Sequence, residues 1–93
     1  MRIISFMEFE RYLHDERTVV IDLRDKKRYA KEHIGGSINM SYEDAIDNVV
    51  RFINKRVIFV CERGNLSLRA ANAFAMRKVE AYSLGGGYRR FLK

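Results

Sequence analysis

The sequence predicts an α/β fold, a mainly parallel five-stranded sheet with helices on both faces. Three features of the chain predict it. Short apolar runs alternate with helical patterns. The strongest runs, TVVIDL (18–23) and RVIFV (56–60), are apolar throughout instead of at every second residue. Glycines, with no proline anywhere, punctuate the connections. A strand with one wet face alternates apolar and polar residues, whereas a parallel strand covered on both faces reads as a continuous apolar run.

The elements follow in order. A short strand opens the chain near Arg2–Ile4. Ser5 with Glu8 three residues later forms a capping box, and the spacing predicts a helix through about His14 with Phe9 and Leu13 on one face. TVVIDL is a strand ending near Asp22. DKKRYAKEH is a short polar helix, closed by Gly35–Gly36, and SIN (37–39) is a brief strand. Ser41 with Asp44 starts another helix, in which Ile46, Val49, Val50 and Ile53 recur at i, i+3, i+4 and i+7, an amphipathic spacing. RVIFV is the most apolar strand and runs directly into Cys61. Leu66 to Lys78 reads as a helix with Ala70, Ala71, Phe74 and Ala75 at packing spacing. EAYSL (80–84) is the last strand and YRRFLK (88–93) a short terminal helix.

A chain of 93 residues fits one domain, residues 1–93, large enough to bury somewhat over ~60% of its unfolded surface. No apolar run approaches the ~18 residues of a membrane span. The opening MRIISFMEFER turns charged too early for a secretory signal, so the expected location is cytoplasmic. The net charge of +6 suits anionic small molecules or an acidic partner protein. The basic residues are scattered apart from Lys26–Lys27–Arg28 and Arg89–Arg90, and no zinc finger or RNP-like string points to nucleic acid.

The single cysteine cannot form an internal disulfide, and with two histidines it makes a poor metal site. Cys61 is therefore either a small buried hydrophobe or a reactive group. In parallel sheets, ligands bind beyond the carboxyl ends of the strands, where both Cys61 and Asp22 fall. The segment CERGNL between a central strand and a helix can curl its backbone N–H groups around a common centre. The helix that follows points its unpaired N–H groups the same way, a setting that favours a thiolate. Gly64 permits the curl, Asn65 tolerates similar geometry, and Arg63 supplies a charge to hold an anion. Simple packing and an ordinary Gly-Asn turn are the plain alternatives.

Three segments in the right order carry a resemblance. VIDLRDKKRYAKEHIGGSINM, CERGNLSLRAA and LGGGYRRF together resemble the single-domain rhodanese family, a sulfurtransferase module, over nearly the whole chain. The matching features are an Asp-x-Arg strand end, a His-Ile-x-Gly segment, a cysteine loop with Gly-Asn and Ser, and a Gly-Gly and aromatic ending. The resemblance implies that Cys61 takes a sulfane sulfur from thiosulfate or a protein persulfide, holds it as a persulfide, and yields it to a thiol or cyanide. The amides of Glu62, Arg63, Gly64, Asn65, Leu66 and Ser67 would stabilise the sulfur anion, with no metal and no cofactor. Asp22 and Arg24 match the Asp-x-Arg; Asp22 would accept bonds from the loop backbone or, with Arg24, serve a structural ion pair. His33 would hold a turn, Ser67 would cap the helix or bond the loop, and Arg69 would draw in anions or be a plain surface charge.

The chain departs from the family pattern at Glu62, where arginine is frequent, and at Leu66, where a polar or basic residue is. Glu62 disfavours a neighbouring thiolate, and Arg63 is the expected compensation. Leu66 suits a bulkier or more apolar donor. Gly35 replaces a proline and Phe91 a tryptophan. Two other functions remain in view. Phosphatases with Cys-x5-Arg need an arginine where this chain has Ser67. A non-catalytic or relay module would carry sulfur between proteins, or dock a partner, with little thiosulfate turnover; sulfur relay for tRNA modification belongs to that class.

Overall fold

The computed structural model describes residues 2–91, with Arg90 and Phe91 described in backbone only. Five strands, β1 (Ile3–Ile4), β2 (Thr18–Asp22), β3 (Ile38–Asn39), β4 (Arg56–Val60) and β5 (Glu80–Leu84), form one sheet in the order β1-β5-β4-β2-β3. Every pairing is parallel. Six helical segments accompany them among the described residues: α1 (Phe6–Tyr12), α2 (Lys26–Lys31), α3 (Tyr42–Asp47), a 3₁₀ turn (Val49–Phe52), α4 (Asn65–Met76) and α5 (Gly87–Phe91). This is the expected class and strand count.

The central strand β4 shows why the apolar runs are continuous. Its side chains alternate between two cores. Val57 and Phe59, followed by Cys61, pack on the face covered by α4 and the 3₁₀ turn, among Ala70, Ala71, Phe74 and Phe52. Ile58 and Val60 pack on the other, with Ile4, Phe9, Leu84 and Tyr88. Both faces are dry, so neither parity of the strand admits a polar residue.

The Ser5–Glu8 capping box forms as expected, Ser5 Oγ accepting the Glu8 amide at 3.1 Å and Glu8 Oε1 accepting the Ser5 amide at 3.0 Å. The helix stops at Tyr12, however, and only Phe9 is buried; Leu13, at its C-cap, is 43% exposed. A larger correction concerns residues 41–53. Ser41 caps α3 through the Asp44 amide, but the α-helix ends at Asn48 and continues as a 3₁₀ turn. Ala45, Val49 and Phe52, at i, i+4 and i+7, face the core, the 3₁₀ turn keeping Phe52 over Val49, while Val50 is 69% and Ile53 55% exposed. Burying the Phe52 ring removes more apolar surface from water than Val50 or Ile53 would. The Asn48 side chain also donates to the Asp44 carbonyl at 2.7 Å, a local bond that competes with helix propagation.

α4 starts one residue early, at Asn65, and Ala75 is only partly buried. The terminal helix starts at Gly87 and is described to Phe91; the rest of the expected YRRFLK helix, Leu92 and Lys93, and the Phe91 side chain lie outside the described residues. No helix among the described residues is long and apolar enough to cross a membrane.

Candidate active site

Cys61 is the first residue past β4, whose last residue, Val60, is in register with Asp22, the last of β2. The chain then turns through Glu62–Arg63–Gly64 into α4. Gly64 adopts φ +101°, a left-handed conformation that side chains resist. Asn65 shares none of this strain: it is the first residue of α4, not a second left-handed position.

The turn brings two backbone N–H groups onto the sulfur. The amide of Gly64 donates to Cys61 Sγ at 3.1 Å and that of Ser67 at 3.3 Å. These two are the members of the expected Glu62–Ser67 set that meet the sulfur directly. The Ser67 hydroxyl lies 3.4 Å from the sulfur and donates to the Gly64 carbonyl at 3.1 Å. Ser67 is therefore not the helix cap. It is buried in the first turn, the capping position is Gly64, and of the two expected roles it takes the bond to the loop. A third group was missed from the sequence: Ser83 Oγ, on β5, lies 2.6 Å from Ser67 Oγ. A serine among the buried residues of β5 signals a polar group in need of a partner, but nothing in the sequence names that partner.

The loop is also braced from behind. The Tyr88 amide donates to the Cys61 carbonyl at 2.7 Å and the Arg89 amide to the Glu62 carbonyl at 3.4 Å. Gly87 is packed so closely that a Cβ there would stand 2.5 Å from the Cys61 carbonyl oxygen and 2.6 Å from that of Glu62. The Gly-Gly-Gly-Tyr ending thus supports the cysteine loop.

Asp22 and Arg24 form a buried ion pair at 2.9 Å, with the Arg24 backbone amide also donating to Asp22 Oδ1. The Asp22 carboxylate is taken up by Arg24, which corrects the expectation that it accepts from the loop and leaves the structural alternative. Arg24 further donates to the Glu32 carbonyl at 2.7 Å and lies 3.7 Å over the Tyr88 ring. Burial works against the Arg24 charge, but the Asp22 hydrogen bond and charge outweigh it and hold the guanidinium above its ordinary value. Burial pushes the Tyr88 phenol up.

A pocket of about 280 Å³ opens over the loop, lined by Leu23, Arg24, Arg28, Cys61, Glu62, Arg63, Asn65 and Leu66. Glu62 is paired across it with Arg28 at 3.7 Å. Arg28, not Arg63, is thus the cation that answers Glu62, while Arg63 is exposed at the rim. Asp22, Gly64 and Ser67 sit beneath the pocket lining, and two further expected residues meet neither the pocket nor the sulfur. His33 Nδ1 pairs with the Tyr29 carbonyl at 2.7 Å and its ring stacks on Tyr29, while the Tyr29 hydroxyl donates to the Ser37 carbonyl; this is the turn-holding role. Arg69 is exposed, its guanidinium 5.3 Å from the Tyr42 ring centre. The Cys-x5-Arg alternative finds at position 67 a buried serine bonded within the fold.

Comparison with known proteins gives the chain a family. The Rhodanese-like domain family matches residues 5–93. The thiosulfate sulfurtransferase GlpE of Pseudomonas paraeruginosa is 32% identical over 83 residues, 87% of this chain and 76% of that protein. The tRNA sulfurtransferase of Pyrobaculum aerophilum is 35% identical over 72 residues, 74% of this chain but only 14% of its relative's length. A rhodanese-related protein from Thermoplasma volcanium superposes with a TM-score of 0.86 at 18% identity, covering 99% of this chain and 91% of that one. The human single-domain sulfurtransferase TSTD1 superposes with a TM-score of 0.83 at 19% identity, covering 99% and 96%. At these identities the structures speak for the fold, while the sequence match over nearly the whole chain speaks for kinship: the chain belongs to the rhodanese-like domain family of sulfurtransferases.

Proposed function

We propose that the chain moves a sulfane sulfur from thiosulfate or a protein persulfide to a thiol or cyanide, with Cys61 as the carrier. One observation carries this reading. The only thiol in the chain sits at the carboxyl edge of the central strand, lines an open pocket and has two backbone amides on its sulfur. Amides aimed at a sulfur stabilise its anion, and the anion is the nucleophile.

The Cys61 thiolate attacks the outer sulfur of thiosulfate. An Sγ–S bond forms as the donor S–S bond breaks, and sulfite leaves with the electron pair. An acceptor thiolate or cyanide then attacks the outer sulfur of the persulfide. The Cys61 S–S bond breaks and its pair returns to Sγ, giving a new persulfide or thiocyanate. Arg28 and Arg63 at the mouth attract the anionic donor.

A second reading, a relay module with little thiosulfate turnover, is favoured by the Arg28–Glu62 pair, which occupies a pocket cation, and by the apolar walls from Leu23 and Leu66. The basic net charge suits an acidic partner protein.

Intact-mass measurement after incubation with thiosulfate, beside a Cys61→Ser variant, separates the readings. A sulfur-sized gain that needs Cys61 and is removed by cyanide as thiocyanate is the expected result. Loading only from a protein persulfide selects the relay module, and no loading from either donor overturns both.

A further inference from the structure

Ser83 is a buried hydroxyl that the mechanism above leaves unused. It is 1% exposed and paired in register with Phe59 of β4. Its Oγ stands 2.6 Å from Ser67 Oγ and 3.4 Å from the Gly64 carbonyl oxygen. Ser67 Oγ is itself 3.1 Å from that carbonyl and 3.4 Å from Cys61 Sγ. Each hydroxyl has one proton to give.

While Cys61 is a thiol, its S–H donates to Ser67 Oγ and Ser67 donates to the Gly64 carbonyl. Once the sulfur is an anion it only accepts, and two acceptors compete for the one Ser67 proton. Turning Ser67 toward the sulfur takes one of two donors from the part-buried carbonyl, which keeps only the Leu68 amide at 3.2 Å, a loss that offsets much of the gain. Ser83 holds the second proton and reaches both Ser67 Oγ and the carbonyl.

We propose that Ser83 is a positioning residue for the Cys61 thiolate. By donating to the Gly64 carbonyl or to Ser67 Oγ, it releases the Ser67 hydroxyl as a third donor to the sulfur, beside the amides of Gly64 and Ser67. Its effect on turnover rests on the sulfur-transfer reading; its effect on the thiolate does not. In the persulfide, Sγ is a neutral bridging atom and Ser67 returns to the carbonyl. When the acceptor attacks and the electron pair returns to Sγ, the relay acts again.

The test is alkylation of Cys61 by iodoacetamide in the full chain, at pH 7 and pH 10, for wild type, Ser83→Ala, Ser67→Ala and the double variant. Ser83→Ala is expected to react about fivefold more slowly at pH 7, the weight of one net hydrogen bond. It should match wild type at pH 10, where an ordinary thiol ionises unaided. Arg24, Arg28, Glu62 and Arg63 line the pocket; the Asp22 pair holds the Arg24 guanidinium above its ordinary value, and burial does the same for the Tyr88 phenol. Added to Ser67→Ala, Ser83→Ala should have no further effect, because it acts through Ser67. An unchanged rate at pH 7, a deficit that persists at pH 10, or additive effects would overturn the proposal. Sulfur loading is read separately by mass: a wild-type chain that alkylates as expected but takes sulfur from no donor overturns the transfer reading and leaves the Ser83 relay standing.

Discussion

The amide of Tyr88 donates to the carbonyl of Cys61 at 2.7 Å. This bond ties the chain after the last strand to the residue that follows the central one. It forms because Gly87, at φ +69°, lets the backbone pass within contact of Cys61, Glu62 and Arg63. Gly87→Ala places a methyl 2.5 Å from the Cys61 carbonyl oxygen and in a strained conformation, so the loop must shift. The expected cost is about 2–3 kcal/mol in urea unfolding. Persulfide loading is expected to fall about 10- to 100-fold, since misplacing a reacting atom by an ångström costs that much. Normal loading would mean that the brace does not set the sulfur's position.

Sequence and structure agree where the signal is local. The apolar runs of β2 and β4 were legible because both their faces are dry, and the turn at Gly64 because only one residue type fits it. The misreading of Val50 and Ile53 came from choosing between two overlapping apolar stripes of helical spacing; Ala45, Val49 and Phe52, at i, i+4 and i+7, form the stripe that the fold turns inward. Ser83 and Arg28 were not legible as site residues because contacts across the fold bring them there. Ser83 meets Ser67 only once β5 is in register with β4, and Arg28 meets Glu62 only once α2 sits over the carboxyl edge.

The buried Asp22–Arg24 pair should be costly to break and cheap to replace. Asp22 is 1% and Arg24 9% exposed, and removing one partner leaves a desolvated charge. Asp22→Ala is expected to destabilise by about 3–5 kcal/mol, while the double variant Asp22→Leu/Arg24→Met recovers most of that loss. Urea midpoints at constant slope measure both. A single-variant loss below about 1 kcal/mol would show that water reaches the pair.

Stability should fall at both ends of the pH range through one cluster at the amino-end of the sheet. Burial opposes the Glu80 charge, but hydrogen bonds from Arg56, Tyr82 and Arg17 prevail and hold its carboxyl below the ordinary 4.5. The Arg17 amide and the Arg56 guanidinium lower Asp15 from 3.8. A depressed carboxyl stabilises the fold above its unfolded value and ceases to as pH falls through the folded one, so the acid loss begins near 4.5 and steepens below 3.8. Burial, with Glu80 beside it, pushes Tyr82 from 10.0 up to about 12. That contribution is whole below 10.0 and vanishes as pH rises through about 12. Thermal melts across this range are expected to show both limbs, with Glu80→Gln flattening the acid one and Tyr82→Phe the alkaline one.

Glu62 should restrain the use of small anionic donors. Its carboxylate lies 3.7 Å from Arg28 in the lining of the pocket, so a donor such as thiosulfate competes with it for that cation. Glu62→Gln removes one negative charge from the mouth and leaves Arg28 with Asp25, at 4.0 Å, as its remaining carboxylate partner. Arg28 is exposed and Glu62 half-buried, which keeps the effect small: kcat/KM for thiosulfate is expected to rise about 3- to 10-fold at low salt. Added salt at about 1 M shortens the screening length to about 3 Å and should erase most of the gain. Arg28→Ala should lower kcat/KM and make Glu62→Gln nearly silent, because the carboxylate then has no cation to withhold. An increase that survives both high salt and Arg28→Ala would place the influence of Glu62 on the thiolate itself, through charge repulsion, and not on the capture of the donor.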